Sequence, residues 1–248
     1  MALITTSDNT AVPVSEKPSR SLSQLLGPGP QLSLHGRQSA DRQRVETYVA
    51  RQFQSVYGAS INEFMPLFLS LGCNEQLSAV TGIRPVEEQP LFLEQYLDQP
   101  IEQEVVRVFE TPANRLSVVE IGNLAATHRG SSQLLFVLLA ATLHRAGFRW
   151  ITFTATPQVR KTINRLGFEL RIIDEAKPER LEQNVLKQWG SYYHTNPLVV
   201  AGDLNHAMQV IGAKRTLGGI LALYCNQVDT LAAQIKYGVH HGQYRYAA

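Results

Sequence analysis

The sequence predicts an α/β protein, a mixed central sheet flanked by helices, with an added C-terminal helical segment. Three observations lead there. Between Arg115 and Phe168 a strand, a glycine turn, an apolar helix, a second strand, a second helix and a Gly-Phe stop follow one another. Upstream, two short apolar runs separated by GCNEQ read as an antiparallel hairpin. Downstream, Asp203 and Thr216 stand where the caps of two further helices or turns belong. Tandem β-α units beside a hairpin make the sheet mixed.

Residues 1–38 are rich in Ser, Thr, Pro and Gly, with GPGP at Gly27 to Pro30 and no sustained period, and read as a flexible leader. The main domain is expected over 39–202, followed by a C-terminal helical extension and tail over 203–248. From Asp41 to Tyr57 the residues Val45, Tyr48, Val49, Phe53 and Val56 form one helical stripe, stopped by Gly58. Phe64 to Leu71 and Leu77 to Ile83 are the hairpin strands. Leu116 to Ala126 is the next strand, in which Gly122 marks a bulge or a close approach of ligand to backbone. The turn Thr127 to Ser132 opens a helix whose run Leu134 to Leu143 is apolar nearly all round, so it belongs at the centre. Phe148 to Ala155 is a strand; Thr156 then caps a helix with Pro157 in its first turn and Val159, Ile163 and Leu166 on one face. Gly167 ends that helix and FELRII reads as a strand. Pro178 opens a last helix in this domain, with Leu181, Val185 and Trp189 on one side and Gly190 at its end.

Composition narrows the function classes. Lys and Arg number 23 against 21 Asp and Glu, a balance that gives no basic surface for nucleic acid. Cys73 and Cys225 lie far apart without a C-x-x-C or neighbouring His pattern, so no zinc site or disulfide framework is expected and both read as buried free thiols. The N-terminus has no basic region followed by an apolar one, so cytoplasmic residence is the expectation. The longest apolar helix falls short of the about 20 residues that span a bilayer, and no run of ten-residue alternating strands announces a barrel.

The segment from Arg115 to Phe168 resembles the GNAT acyltransferase superfamily, in which a bulged strand and the glycine-rich turn after it hold the pantetheine and phosphates of an acyl donor. The family's turn is Arg/Gln-x-x-Gly-x-Gly/Ala; here Thr127, Gly130 and Ser132 occupy the matching positions. EIGNLA (Glu120 to Ala125) is similar to the Glu-x-Ser-Arg-Phe/Leu-x signature of acyl-homoserine-lactone and N-acyl amino acid synthases, with Asn123 where those have Arg. The phrases FLEQYLDQPIE, VVEIGNLAA, FRWITFTATP and WGSYYHTNPLVVAGDL resemble the thermostable haemolysin family across most of residues 40–210.

The resemblance implies transfer of a fatty acyl group from acyl-CoA or from the phosphopantetheine of acyl carrier protein to a small amine such as an amino acid derivative. It implies no tightly bound cofactor and no metal. Gly122, Asn123, Leu124, Ala125, Thr127, Arg129, Gly130, Ser131 and Ser132 are the expected donor-binding residues, with His128 beside them. Amide formation needs a route for the amine's proton. Glu120 stands in the strand expected to line the donor channel, either as that base or as an edge-of-core carboxylate paired with an arginine. Glu94 and Tyr96 are further catalytic candidates, and Glu94 and Asp98 candidate anchors for the acceptor, against the plainer reading of a surface turn with a capping acid. Trp189, Tyr192 and Tyr193 wall an acyl pocket or pack a core. Arg160, Lys161 and Arg165 are a candidate landing patch for an acidic carrier protein or simply a solvated helix face, and His240 and His241 lack partners for a metal. A membrane-active haemolysin and a non-catalytic acyl-binding protein are the rival readings.

Overall fold

A computed structural model describes residues 29–73, 76–86, 90–127 and 129–243. Its centre is a seven-stranded sheet of strands β1 (Gln31–His35), β2 (Leu67–Cys73), β3 (Gln76–Pro85), β4 (Val118–Ala126), β5 (Trp150–Ala155), β6 (Arg171–Glu175) and β7 (Leu198–Asp203), in the order β1-β2-β3-β4-β5-β7-β6. Neighbours are antiparallel except β4 and β5, which run parallel. The helices are α1 (Arg42–Tyr57), α2 (Ile101–Phe109), α3 (Arg129–Arg145), α4 (Pro157–Leu166), α5 (Gln183–Gln188), α6 (Leu204–Ala213) and α7 (Arg215–His240). The result is a mixed α/β fold with a long C-terminal helix.

Two cores sandwich the sheet. On one face α3 buries Leu135, Leu138, Leu139 and Leu143 against Leu69, Ile83, Val119 and Phe153, and α6 and α7 cover α3 from outside. On the other, α1 buries Val45, Val49 and Phe53 against Phe68, Val80, Val118 and Ala125. The near-continuous apolar run of α3 follows from this position, since sheet and helices enclose it on opposite sides. Local signals fix the ends of α1 and α4: Gly58 and Gly167 close them in the left-handed conformation, and the Thr156 hydroxyl accepts from Val159 N.

Four sequence expectations need correction. Gln31–His35, assigned to the leader, is the edge strand β1: Leu32 is buried, its N–H donates to Gln227 Oε1 at 3.1 Å, and Tyr224 Oη donates to Pro30 O at 2.8 Å. Five residues are too short a stretch to register as a period against Ser/Pro/Gly surroundings. Residues 1–28 of the leader lie outside the described residues. The helix expected from Pro178 is two pieces, a 3-10 turn at Pro178–Arg180 and α5, because Leu181 is extended and turns inward to a buried site. Thr216 caps nothing: α7 starts one residue earlier, whereas Asp203 does cap α6, accepting from Asn205 N at 2.7 Å. Cys73 is exposed at the hairpin and Cys225 half-buried, and neither is in a disulfide. Strand β7, absent from the sequence reading, inserts antiparallel between β5 and β6. Among the described residues no helix is long and apolar enough to cross a membrane.

The tie between β1 and α7 yields a direct test. Burial of a leucine side chain contributes about 1.5–3 kcal/mol, and 1 kcal/mol corresponds to roughly 2–4 °C in a chain of this size. A chain beginning at Gln38 should therefore melt at least about 3 °C below one beginning at Gly29, measured by circular dichroism. Equal midpoints would show that β1 contributes nothing to stability.

Candidate functional site

The site begins with a break in the ladder between β3 and β4. Gly82 faces Gly122 and Val80 faces Ala125, so the single residue Thr81 lies opposite both Asn123 and Leu124. This is a β-bulge, and Asn123 carries it at φ 49°, a left-handed conformation that asparagine tolerates better than most side chains. The extra residue inverts the facing of the strand. Val119 and Ile121 point into the α3 core before the bulge, and Leu124 and Ala126 after it. Sequence reasoning put the irregularity at Gly122; it falls one residue later.

On its other edge β4 pairs with β5 over only Val118↔Trp150, Val119↔Ile151 and Glu120↔Thr152. Beyond Glu120 the two parallel strands part. A cavity of about 60 Å³ opens on the α1 side at this point, with Glu120, Gly122, Asn123 and Thr154 contributed by the strands and Arg84, Phe64, Phe92 and Trp189 around them.

Glu120 is 2% exposed at the vertex of the split. Its carboxylate meets Arg84 Nη1 at 3.3 Å and accepts from Phe92 N at 3.3 Å and Leu93 N at 3.1 Å. Burial pushes the Glu120 carboxyl above its ordinary range, against the pull of Arg84 and the two backbone donors, and the nearby charge of Glu94 adds to the rise. Glu120 is thus both paired with an arginine and a lining residue of the cavity.

Glu94 and its neighbours lie in the 3-10 turn Phe92–Tyr96. Glu94 accepts from Leu91 N at 2.6 Å and Ile101 N at 2.9 Å and forms a two-point pair with Arg115, which also reaches Glu102 at 2.7 Å. Burial raises its carboxyl, but the hydrogen bonds from Arg115, Ile101 and Leu91 outweigh that and hold it below the ordinary value. Tyr96 is buried, its hydroxyl 2.5 Å from that of Tyr193, and burial drives both phenols well above their ordinary range. Asp98 is exposed and pairs with Arg180 at 2.6 Å. None of these three carboxyl and hydroxyl groups borders the cavity around Glu120.

Of the expected donor residues, Gly122 and Asn123 line the cavity, while Leu124 and Ala125 are buried in the two opposite cores. Thr127 is tied to Ser78 O through both its N–H and its hydroxyl. Ser131 is half-buried and Ser132 buried on the first turn of α3, and Gly130 faces open space. His128 and the side chain of Arg129 lie outside the described residues. Trp189 packs on Phe92 and borders the cavity, whereas Tyr192 and Tyr193 belong to the core behind it. Lys161 and Arg165 are exposed on α4. His241 stacks on Tyr237 at the end of α7. Among the described residues no group of three or more His, Cys, Asp or Glu is placed to hold a metal ion.

Sequence reasoning missed Arg84, Phe92 and Met65. Arg84 carried a signal: it is the direct cross-strand partner of Glu120, at the end of a hairpin strand that was recognised. Met65 lies in the run read as the first hairpin strand, which in the structure begins only at Leu67, and Phe92 opens a 3-10 turn; only the fold brings the two to β4.

Solved structures similar to this chain include three synthases. They are the acyl-homoserine-lactone synthase LasI (11% identity, 72% of this chain and 91% of that one, TM-score 0.49), the N-acyl amino acid synthase FeeM from uncultured soil microbes (16%, 70% and 89%, 0.47) and the CoA-dependent acyl-homoserine lactone synthase MesI (13%, 76% and 95%, 0.45). A search of curated protein sequences finds no match. The family model described as thermostable hemolysin matches residues 35–208, most of the chain including every strand after β1, and the protein belongs to the thermostable hemolysin family.

Proposed function

We propose that this protein is an acyltransferase that moves a fatty acyl group from the pantetheine thioester of acyl carrier protein or coenzyme A to a small amine. The observation that carries the reading is the parting of β4 and β5 immediately after the buried Glu120, which leaves a carboxylate at the vertex of an opening between two parallel strands. An extended thioester arm lying along the free edge of β4 would bring its carbonyl to that vertex. The amine nitrogen attacks the carbonyl carbon, Glu120 takes the amine's proton, the C–S bond breaks, and the proton passes to the departing thiolate. Burial favours this role, because a carboxylate with a raised pKa is a stronger base than an exposed one. Arg84 and the N–H groups of Phe92 and Leu93 hold it in place.

On this reading Glu94, Tyr96 and Asp98, none of which lines the cavity, take no part in the chemistry. Glu94 fastens the Phe92–Tyr96 turn to α2 and to Arg115, and so positions the backbone N–H groups that reach Glu120. A carrier protein as donor is supported by charge: α4 has Arg160, Lys161 and Arg165 and no acidic residue, and Lys214 joins it by donating to Leu166 O at 2.6 Å.

Glu120→Gln should lower single-turnover acyl transfer from decanoyl-CoA to a mixture of amino acids and simple amines by about 100-fold to 10,000-fold. Wild-type rates should rise with pH through a carboxyl titration above the ordinary Glu range, and that limb should vanish in the variant. Near wild-type turnover of Glu120→Gln at every pH would remove Glu120 from the mechanism, and absence of any acylated amine with either donor would remove the reading itself.

Glu94→Gln should behave differently, lowering stability by about 2 kcal/mol at pH 7, the scale of charge-assisted hydrogen bonds lost from a partly buried site. Because the Glu94 pKa is lower folded than unfolded, its contribution is complete above the unfolded value and disappears as pH falls through the folded one. The melting difference between wild type and variant should accordingly shrink on acidification. A difference independent of pH would mean that the charge of Glu94 plays no part.

A further inference from the structure

The paired glycines of β3 and β4 floor a notch that is already filled. Ideal Cβ atoms built on Gly82 and Gly122 would lie 2.6 Å from Met65 Cβ and Cγ and 2.2 Å from Met65 Cε, so the methionine side chain lies along the two strands where any other residue pair would project. Gly82 and Gly122 are direct cross-strand partners, and adjacent strands are about 4.8 Å apart, so the notch is one hydrocarbon chain wide. Gly122 has the facing of Glu120 two residues earlier, and Met65 borders the same cavity as that carboxylate.

The backbone of Met65 is fixed from both sides. Its N–H donates to Asn123 Oδ1 at 2.9 Å, and its carbonyl accepts from Arg42 Nη2 at 2.6 Å, with Pro66 O accepting from Arg42 Nη1 at 3.1 Å. Arg42 is itself stacked on Phe68 and paired with Glu46. Only the side chain is left to move, and an unbranched thioether with three rotatable bonds moves at low cost. The cavity of about 60 Å³ lies directly beside it. Rotation of Met65 would join the cavity to the glycine notch.

We propose that Met65 is a displaceable plug that determines acceptor specificity: the slot it vacates takes a primary amine borne on an unbranched apolar arm, the shape it already holds, and excludes amines branched near the nitrogen. This rests on the acyltransferase reading for the identity of the bound group as acceptor. The amine end of such a ligand meets Glu120 at the head of the slot. Its arm runs over Gly82 and Gly122 beneath the fixed loop.

The test is calorimetric titration of the full chain with n-hexylamine and with neopentylamine, in wild type, Met65→Ala and Met65→Ile, each checked for an unchanged circular dichroism spectrum. Met65→Ala removes the plug and should strengthen n-hexylamine binding at least tenfold. Met65→Ile places a stiff branched chain over the glycines and should weaken it at least tenfold. Neopentylamine should bind weakly to all three. Affinities for n-hexylamine within twofold across the variants, equal gains for both amines in Met65→Ala, or no binding by any of the proteins would overturn the proposal. Acylation of n-hexylamine from decanoyl-CoA is followed in parallel: binding that depends on Met65 without acylation would defeat the acyltransferase reading and leave the slot standing, and acylation insensitive to residue 65 would do the reverse.

Discussion

One residue out of strand conformation organises the site. If Asn123 followed the extended path of its neighbours, Leu124 and Ala126 would turn away from the α3 core they now fill, and the whole second half of β4 would present its apolar side to the wrong layer. The bulge lets β4 serve the α3 core before and after Gly122 while the strand bends away from β5. It also frees the Asn123 amide to hold Met65, so the loop over the cavity is referenced to the same residue that shapes the strand beneath it. A hydrogen-bonding side chain suited to left-handed backbone does both jobs; glycine would supply the backbone shape alone.

Glu120 shows how burial and pairing oppose one another at that vertex. A carboxylate removed from water is costly unless its lone pairs are filled, and here a guanidinium and two backbone donors fill them. The donors belong to a turn with no regular ladder of its own, held by Glu94 and Arg115. The environment of the central carboxylate is thus set at one remove, through an ion pair that never touches the cavity.

Periodicity and capping were strong enough to read α1, the hairpin β2–β3, β4, α3, β5 and α4 from the sequence, because each carries an apolar pattern with a stop signal beside it. The segments that escaped are those decided by distant partners. QLSLH becomes a strand because β2 offers it an edge and α7 a roof; LVVAGD becomes β7 because a gap exists between β5 and β6. Within the site, Glu120 and Gly122 announced themselves as a charge and a glycine in an apolar strand. Met65 could not, since a methionine in a loop is unremarkable until two glycines from another part of the chain are brought beneath it.

The contacts between β1 and α7 join residues 195 and 194 positions apart. During synthesis from the N-terminus the partner that secures the edge strand leaves the ribosome long after the strand itself. Until then β2 presents an open, apolar edge of Leu67, Phe68, Leu69 and Leu71, the kind of surface that pairs with other nascent chains. The helix α7 therefore acts as a latch on the sheet, and any premature stop before Tyr224 leaves the first strand with its pairing to β2 alone.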